Sequence, residues 1–299
     1  MQLSQVEADY FFNLFKPLLI YTNQKFQITP DMKEPEDIEG YPFEETVKVR
    51  DKLYQNPGIF DEFIQENTEK LSAEDISIIE SWKGFIQGNF FVFRYLKKYT
   101  IFLTADEPYK AYGVLSLYSP FEEIIGSNIP TLVETVLLPF KDKIVSDGIF
   151  KSSNILFGSG IRNSLKESYE EAKTRFGIIT SLNVPVEEIE TADTAKLKIY
   201  LKSQRNLEEY WYEIQIMKDK SFELKQIYYQ GIAKNYAKKY SKQWQDIGIK
   251  NVWFAFFETL PIASGKTKVD VENIVKQILP NLKLSLSTIS TSKINNNFR

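Results

Sequence analysis

The spacing of the apolar residues changes twice along this chain, and that change most constrains the fold. Near the start, apolar residues recur at three- and four-residue steps, which places them on one helical face. These are Val6, Tyr10, Phe11, Leu14, Phe15 and Leu18. Between about residues 89 and 157 they form short aromatic and β-branched runs typical of strands. Helical spacing returns after residue 196, so the pattern predicts an α+β fold.

Three regions follow from this pattern and from an uneven distribution of charge. Residues 1–85 are predicted as an acidic helical region. Residues 86–182 are predicted as a small antiparallel sheet or open barrel with one packed helix, ended by Gly177. Residues 183–299 are predicted as a mostly helical, mildly basic region, with a linker over 183–194 and a frayed polar tail from Ser285.

Individual elements can be placed within these regions. Helices are predicted over 44–55, 59–70 and 73–83, the last with Ser72 as its N-cap. Strands are predicted over 89–95, 99–103, 112–117, 132–138, 143–145, 154–157 and 178–182. Further helices are predicted over 161–176, 196–217, 221–244 and 271–279, and the apolar run 252–257 fits a strand or a helix end.

The chain contains no histidine and no cysteine. Imidazole and thiolate catalysis, Cys/His zinc sites and disulfides are therefore excluded. Chemistry based on carboxylates and metals, or on lysine, remains open. We assign no catalytic residue, no metal ligand and no cofactor, and the sequence leans towards a protein that is not an enzyme.

A glycine-containing junction after the predicted strand 154–157 is the first candidate site. A helix that begins after such a turn can direct backbone N–H groups towards an anion. The candidate anion-binding residues are Gly158, Ser159, Gly160, Arg162, Ser164 and Lys166. Asn163 occupies the place of the third glycine of a dinucleotide fingerprint, so a tight turn before a capped helix is the competing interpretation.

The segment 218–244 interleaves lysines with aromatic residues. Lysines neutralise phosphates and exposed aromatic rings stack on bases, so this composition suits a nucleic acid. The candidate residues are Lys218, Lys220, Lys225, Lys234, Lys238, Lys239, Lys242, Tyr236 and Tyr240. A solvated lysine face opposite a buried aromatic stripe is the competing interpretation.

The chain has acidic residues of the type that could bind a divalent metal in a site for phosphoryl transfer. Such chemistry needs carboxylates, with a lysine nearby. Glu187, Glu188, Glu190, Asp193 and Lys196 supply those types but lie in the predicted linker, while Asp142, Lys143 and Asp147 lie near strands without the usual spacing.

Four short segments resemble stretches of uncharacterised bacterial proteins. They are 81–85 (SWKGF), 137–141 (LLPFK), 147–149 (DGI) and 157–160 (FGSG). The resemblance spans roughly residues 80–182 and implies a bacterial origin, with no activity and no functional residue attached to it.

These observations favour binding over catalysis. With 22 Phe and 17 Tyr, the chain is rich in the side chains that anchor protein interfaces. We therefore expect a cytoplasmic, non-catalytic adaptor that contacts another protein and no membrane. The alternatives are a nucleic-acid-associated protein that uses segment 218–244, and the metal-dependent phosphoryl-transfer enzyme.

Overall fold

A computed structural model describes residues 1–153, 157–249, 251–257, 259–278 and 290–293. It contains a mixed sheet with helices on both sides of it in the sequence, which confirms the α+β class. The chain divides into two compact units, residues 1–189 and 190–299. The predicted acidic region and the predicted strand region thus share the first unit, and the division falls inside the predicted linker.

The first unit begins with four helices and continues into strands. The helices are α1 (Gln5–Phe26), α2 (Phe43–Gln55), α3 (Gly58–Glu66) and α4 (Ala73–Ser81), with 3-10 turns at Pro35–Gly40 and Trp82–Gly84. The strands and later helices are β1 (Ile86–Tyr95), β2 (Thr100–Thr104), β3 (Ala111–Leu115), α5 (Phe121–Ile125), β4 (Thr131–Phe140), β5 (Lys143–Ser146), β6 (Lys151–Ser153), α6 (Ser159–Phe176) and β7 (Ile178–Ile179).

Five of these strands pair in a closed ring. Strand β1 pairs with both β2 and β4, β2 pairs with β3, and β5 joins β3 to β4. The prediction of a small antiparallel sheet or open barrel agrees with four of the five strand pairs in the ring, which are antiparallel. Strands β3 and β5 run parallel, and the ring closes. Alternation along one strand does not reveal the direction of its neighbour. The strand order 1-2-3-5-4-1 is that of an OB-type Greek-key barrel.

Apolar side chains fill the interior of the barrel, and helices pack against two sides of its outer surface. Phe90, Phe102 and Tyr112 point inward, and Phe121 of α5 packs against them. Helix α6 covers the outer side of β1, β2 and β3, where the Tyr169 ring lies 5.0 Å from that of Phe93. OB barrels bind oligonucleotides and oligosaccharides on the face of their second and third strands, and here α6 covers that face.

The four N-terminal helices pack on the opposite side of the barrel. Phe11, Phe15, Trp82 and Phe140 form a buried aromatic cluster there. The predicted N-cap at Ser72 is confirmed, since its hydroxyl accepts the N–H of Asp75 in a capping box. Local capping and apolar spacing therefore determine where these helices form, and their apolar faces are buried against the barrel.

The second unit combines helices with a three-stranded sheet. Its elements are α7 (Ala192–Tyr200), α8 (Gln204–Glu209), α9 (Trp211–Lys218), α10 (Phe222–Asp246), β8 (Trp253–Phe257), β9 (Leu260–Gly265), α11 (Lys268–Ile278) and β10 (Ser290–Lys293). Strand β8 lies between β10 and β9. The helix predicted over 196–217 is three helices, because Ser203 caps α8 and a bend at Tyr210 begins α9.

The predicted frayed tail is contradicted over Ser290–Lys293, which pair antiparallel with β8. A polar strand can form wherever a neighbouring strand offers unpaired backbone groups, and its composition does not show this.

The strand predicted over 154–157 falls mostly outside the described residues, and the strand before it, β6, ends at Ser153. Within the described residues, no helix is both long enough and apolar enough to cross a membrane.

Candidate functional site

Helix α10 organises the second unit and presents two concave surfaces on different faces. Leu224, Tyr228, Ile232, Ala233 and Ala237 are buried along it. One surface, the aromatic groove, lies between α10 and the α8–α9 segment. The other, the lysine cleft, lies between α10 and α7.

The aromatic groove has a volume of about 460 Å³. Its lining residues are Gln204, Leu207, Glu208, Trp211, Tyr228, Ile232, Tyr236 and Thr259. Trp211 is 53% exposed although its neighbours Leu207 and Tyr228 are buried. An indole at the mouth of an apolar groove offers a large rigid surface and one N–H donor to a ligand.

The geometry of α9 explains why Trp211 remains exposed. Ile214 and Met217 bury the inner face of this helix against α7 and α10. At 100° per residue, Trp211 falls at the edge of that face, while Tyr212 and Ile216 fall on the outer side. Both Tyr212 and Ile216 are exposed, so the outer side of α9 carries apolar side chains.

One acidic side chain, Glu208, lines the groove, and two others on α8 and α9 lie outside its lining. Glu208, Glu209 and Glu213 are all exposed on α8 and α9. Glu209 pairs with Arg205 at 3.6 Å, and Glu208 accepts a hydrogen bond from the Gln204 amide at 2.9 Å. A ligand that enters the groove therefore meets an apolar floor and the carboxylate of Glu208.

The lysine cleft has a volume of about 350 Å³. It is lined by Lys198, Leu201, Lys202, Ile227, Gln230, Gly231, Lys234, Asn235 and Lys238. A methyl group at Gly231 would lie 2.7 Å from Leu201 Cδ1 and 2.8 Å from its Cβ, so α7 and α10 cross at a point where only glycine fits. This close crossing brings lysines of two helices to one surface.

The lysines predicted to bind nucleic acid lie in different environments. Lys220 pairs with Asp193 at 2.8 Å and Lys225 with Asp219 at 3.9 Å. Lys218 and Lys239 lie over the rings of Tyr228 and Tyr236, at 4.9 and 5.7 Å from the ring centres. Lys234 and Lys238 line the lysine cleft, and the side chain of Lys242 lies outside the described residues.

The predicted aromatic partners pack within the unit. Tyr240 stacks on Trp244 and Phe256, at 5.2 and 6.0 Å between ring centres, and is half-buried. Tyr236 is half-buried between Tyr240 and the groove. The aromatic stripe of α10 therefore packs largely against β8, as the competing interpretation expected.

The glycine-containing junction forms the exposed N-terminus of α6. Gly158 is the N-cap residue, and no side chain caps the helix. Ser159, Gly160, Ser164 and Lys166 are exposed around it. Arg162 is exposed too, but its Nε donates to the Phe157 carbonyl at 3.0 Å, which directs it towards the chain.

The acidic residues considered for a metal site form ion pairs. Glu188 pairs with Arg175 at 2.9 Å, Glu190 with Lys198, and Asp193 with Lys220. In the described part of the chain, no three acidic side chains come together in a group that could hold a metal ion.

A buried polar cluster in the first unit is not evident from the sequence. Arg50 of α2 and Asp147 after β5 are both fully buried, and Arg50 Nη1 lies 3.5 Å from Asp147 Oδ2. Arg50 Nε also lies 2.9 Å from Asp51 Oδ1. Burial raises the pKa of the Asp147 carboxyl to about 6, an effect that the Arg50 charge opposes. Asp147 thus joins α2 to the barrel.

Comparisons with protein-family models, with curated proteins and with solved structures found no match to this chain.

The sequence analysis did not identify the groove residues Leu207, Trp211 and Thr259. The sequence shows a tryptophan beside acidic residues in 208–213, but it shows neither that Trp211 is exposed nor that α10 supplies the opposite wall.

Proposed function

We propose that this protein is a non-catalytic binding protein that holds a segment of another protein in the aromatic groove. The observation that supports this most is the exposure of Trp211 at the mouth of a groove floored by Leu207, Tyr228 and Ile232. Interfaces are anchored by tryptophan and tyrosine side chains that fill or form desolvated pockets.

The chemistry of the groove indicates what kind of segment fits. Its apolar floor suits one large aliphatic or aromatic side chain. Glu208 lines the groove and is exposed, and none of the ion pairs among the described residues engages its carboxylate. The proposed ligand is therefore a peptide segment with an apolar anchor next to lysine or arginine residues.

This proposal fits the described structure better than the two alternatives. Binding of bases needs exposed aromatic rings beside lysines, whereas Tyr240 stacks within the unit. Phosphoryl transfer needs converging carboxylates, whereas Glu188, Glu190 and Asp193 are paired with basic side chains.

Selection from a random peptide library displayed on phage, with the whole chain as bait, tests the proposal. We expect enriched peptides to contain an apolar anchor near basic residues, and the Trp211→Ala substitution to weaken their binding by about 30-fold, as hot-spot losses do. Dissociation constants of the synthetic peptides, measured by fluorescence anisotropy, give this ratio.

Tyr212→Ala is the matched control, because Tyr212 is the next residue on α9 and is exposed without lining the groove. We expect its effect to stay within about threefold, the range of contacts outside a hot spot. Failure to enrich any peptide, or equal losses in both variants, would contradict binding in the groove.

A further inference from the structure

The lysine cleft differs from an ordinary solvated lysine face in the way its charges converge. Lys198 and Lys202 are four residues apart along α7 and its end, and Lys234 and Lys238 are four residues apart on α10. All four are exposed and line the same concave surface. Lys234 and Lys238, which are four residues apart on one helix, repel each other, and an anion bound between them relieves this repulsion.

Among the described residues of the second unit, the uncompensated charge of the cleft comes from Lys234 and Lys238. Glu190 pairs with Lys198 at the edge of the cleft. In the part of the chain that the structure describes, Lys234 and Lys238 have no carboxylate within 4.0 Å of Nζ. Other lysines of this segment do have a partner. Lys220 and Lys225 each pair with an aspartate, and Lys239 lies over an aromatic ring.

The remaining lining residues suit a small, multiply charged ligand. Asn235 Nδ2 donates to the carbonyls of Leu201 and Gly231, which holds the carboxamide at the helix crossing. Leu201 and Ile227 supply an apolar wall beside the lysines. Lysine acts as a point charge with three donors, which can contact several oxygens of one phosphate group or of linked phosphate groups.

We propose that the lysine cleft binds a small molecule that carries two or more linked phosphate groups. A volume of about 350 Å³ accommodates a di- or triphosphate group and lies at the lower end of ligand-pocket sizes. The ligand phosphates lie between Lys234 and Lys238 on one side and Lys198 and Lys202 on the other. This site is on a different face of α10 from the aromatic groove, so the two proposals stand independently.

Isothermal titration calorimetry of the full-length chain with inorganic tripolyphosphate, at about 50 mM NaCl, tests the proposal. Removing two charge-assisted contacts in the double variant Lys234→Gln/Lys238→Gln is expected to weaken binding by at least about tenfold. Raising the salt concentration to about 500 mM should also weaken binding by the wild-type chain.

Lys239→Gln is the matched control, because Lys239 is exposed on the same helix but lies outside the cleft. We expect it to change the affinity for tripolyphosphate by less than about twofold, the effect of one distant screened charge. Equal losses in Lys239→Gln and in the double variant would overturn the site, since they would indicate diffuse attraction to a basic surface.

Two further titrations define what occupies the cleft. Adenosine triphosphate is expected to bind with the same dependence on Lys234 and Lys238, because the phosphates carry the recognition. Absence of tripolyphosphate binding overturns the proposal. It is also overturned if a single-stranded oligothymidylate binds through these lysines and tripolyphosphate does not compete with it, since the ligand would then be a polymer backbone.

Discussion

Among single residues, Asp147 has the environment that departs most from that of an ordinary surface carboxylate. It is fully buried beside Arg50, and it accepts the backbone N–H of Ile149 at 3.0 Å. Tyr54, whose hydroxyl is also buried, lies in the same cluster on α2, and its pKa is raised by burial and by the Asp147 charge. Buried charges of this kind are costly unless they are paired.

Stability should depend on pH through Asp147. Its pKa rises from the usual 3.8 to about 6 in the folded chain. Because the folded state holds this proton more tightly than the unfolded state, the carboxyl contributes stability below about pH 4 and loses that contribution as the pH rises to about 6. The loss amounts to about 3 kcal/mol, from 1.4 kcal/mol per pH unit.

Urea unfolding of the wild type and of Asp147→Asn between about pH 4 and pH 7 isolates this effect. The free energy of unfolding of the wild type minus that of Asp147→Asn should fall over about pH 4 to 6 and stay level above pH 6. A difference that rises with pH over this interval would show that attraction to Arg50 outweighs the burial of Asp147.

At the level of elements, the crossing of α7 and α10 depends on Gly231. The Leu201 side chain occupies the space that a Cβ atom would need. Gly231→Ala is therefore expected to lower the free energy of unfolding by about 1–2 kcal/mol, because overpacking outweighs the helix propensity gained. Chemical denaturation measures this change.

Gly160→Ala provides the comparison, since a Cβ atom at Gly160 would meet nothing within 4 Å in α6. The gain in helix propensity should leave its stability unchanged or raised by up to about 1 kcal/mol. Should Gly231→Ala prove as stable as Gly160→Ala, the crossing would have to relax freely around Leu201.

At the level of the whole molecule, the two compact units each have a hydrophobic core. Trp82 is buried in the core of the first unit, whereas Trp211, Trp244 and Trp253 all belong to the second. Units with separate cores can unfold in separate transitions.

We expect urea unfolding followed by tryptophan fluorescence to give different midpoints for the two units. A chain with Trp82 as its single tryptophan, made by replacing the other three with phenylalanine, reports on the first unit. Trp82→Phe reports on the second, and circular dichroism records both. Coincident midpoints in all three measurements would show that the units unfold as one cooperative structure.

The local structure of this protein follows from its sequence. The α+β class, the N-cap at Ser72 and the glycine that ends α6 at Gly177 follow from apolar spacing and from capping chemistry between near neighbours. The candidate lysines and tyrosines of α10 were also identified there, because their types and spacing are visible in the sequence.

The way in which these elements come together depends on contacts between distant parts of the chain. The parallel pairing of β3 with β5, the strand at Ser290–Lys293 and the pairing of Arg50 with Asp147 join residues that are distant in sequence. The groove at Trp211 and the cleft at Lys234 likewise each need two walls from separate helices. Side-chain period shows which face of an element is buried, but the partner of that face depends on long-range packing, which local spacing does not record.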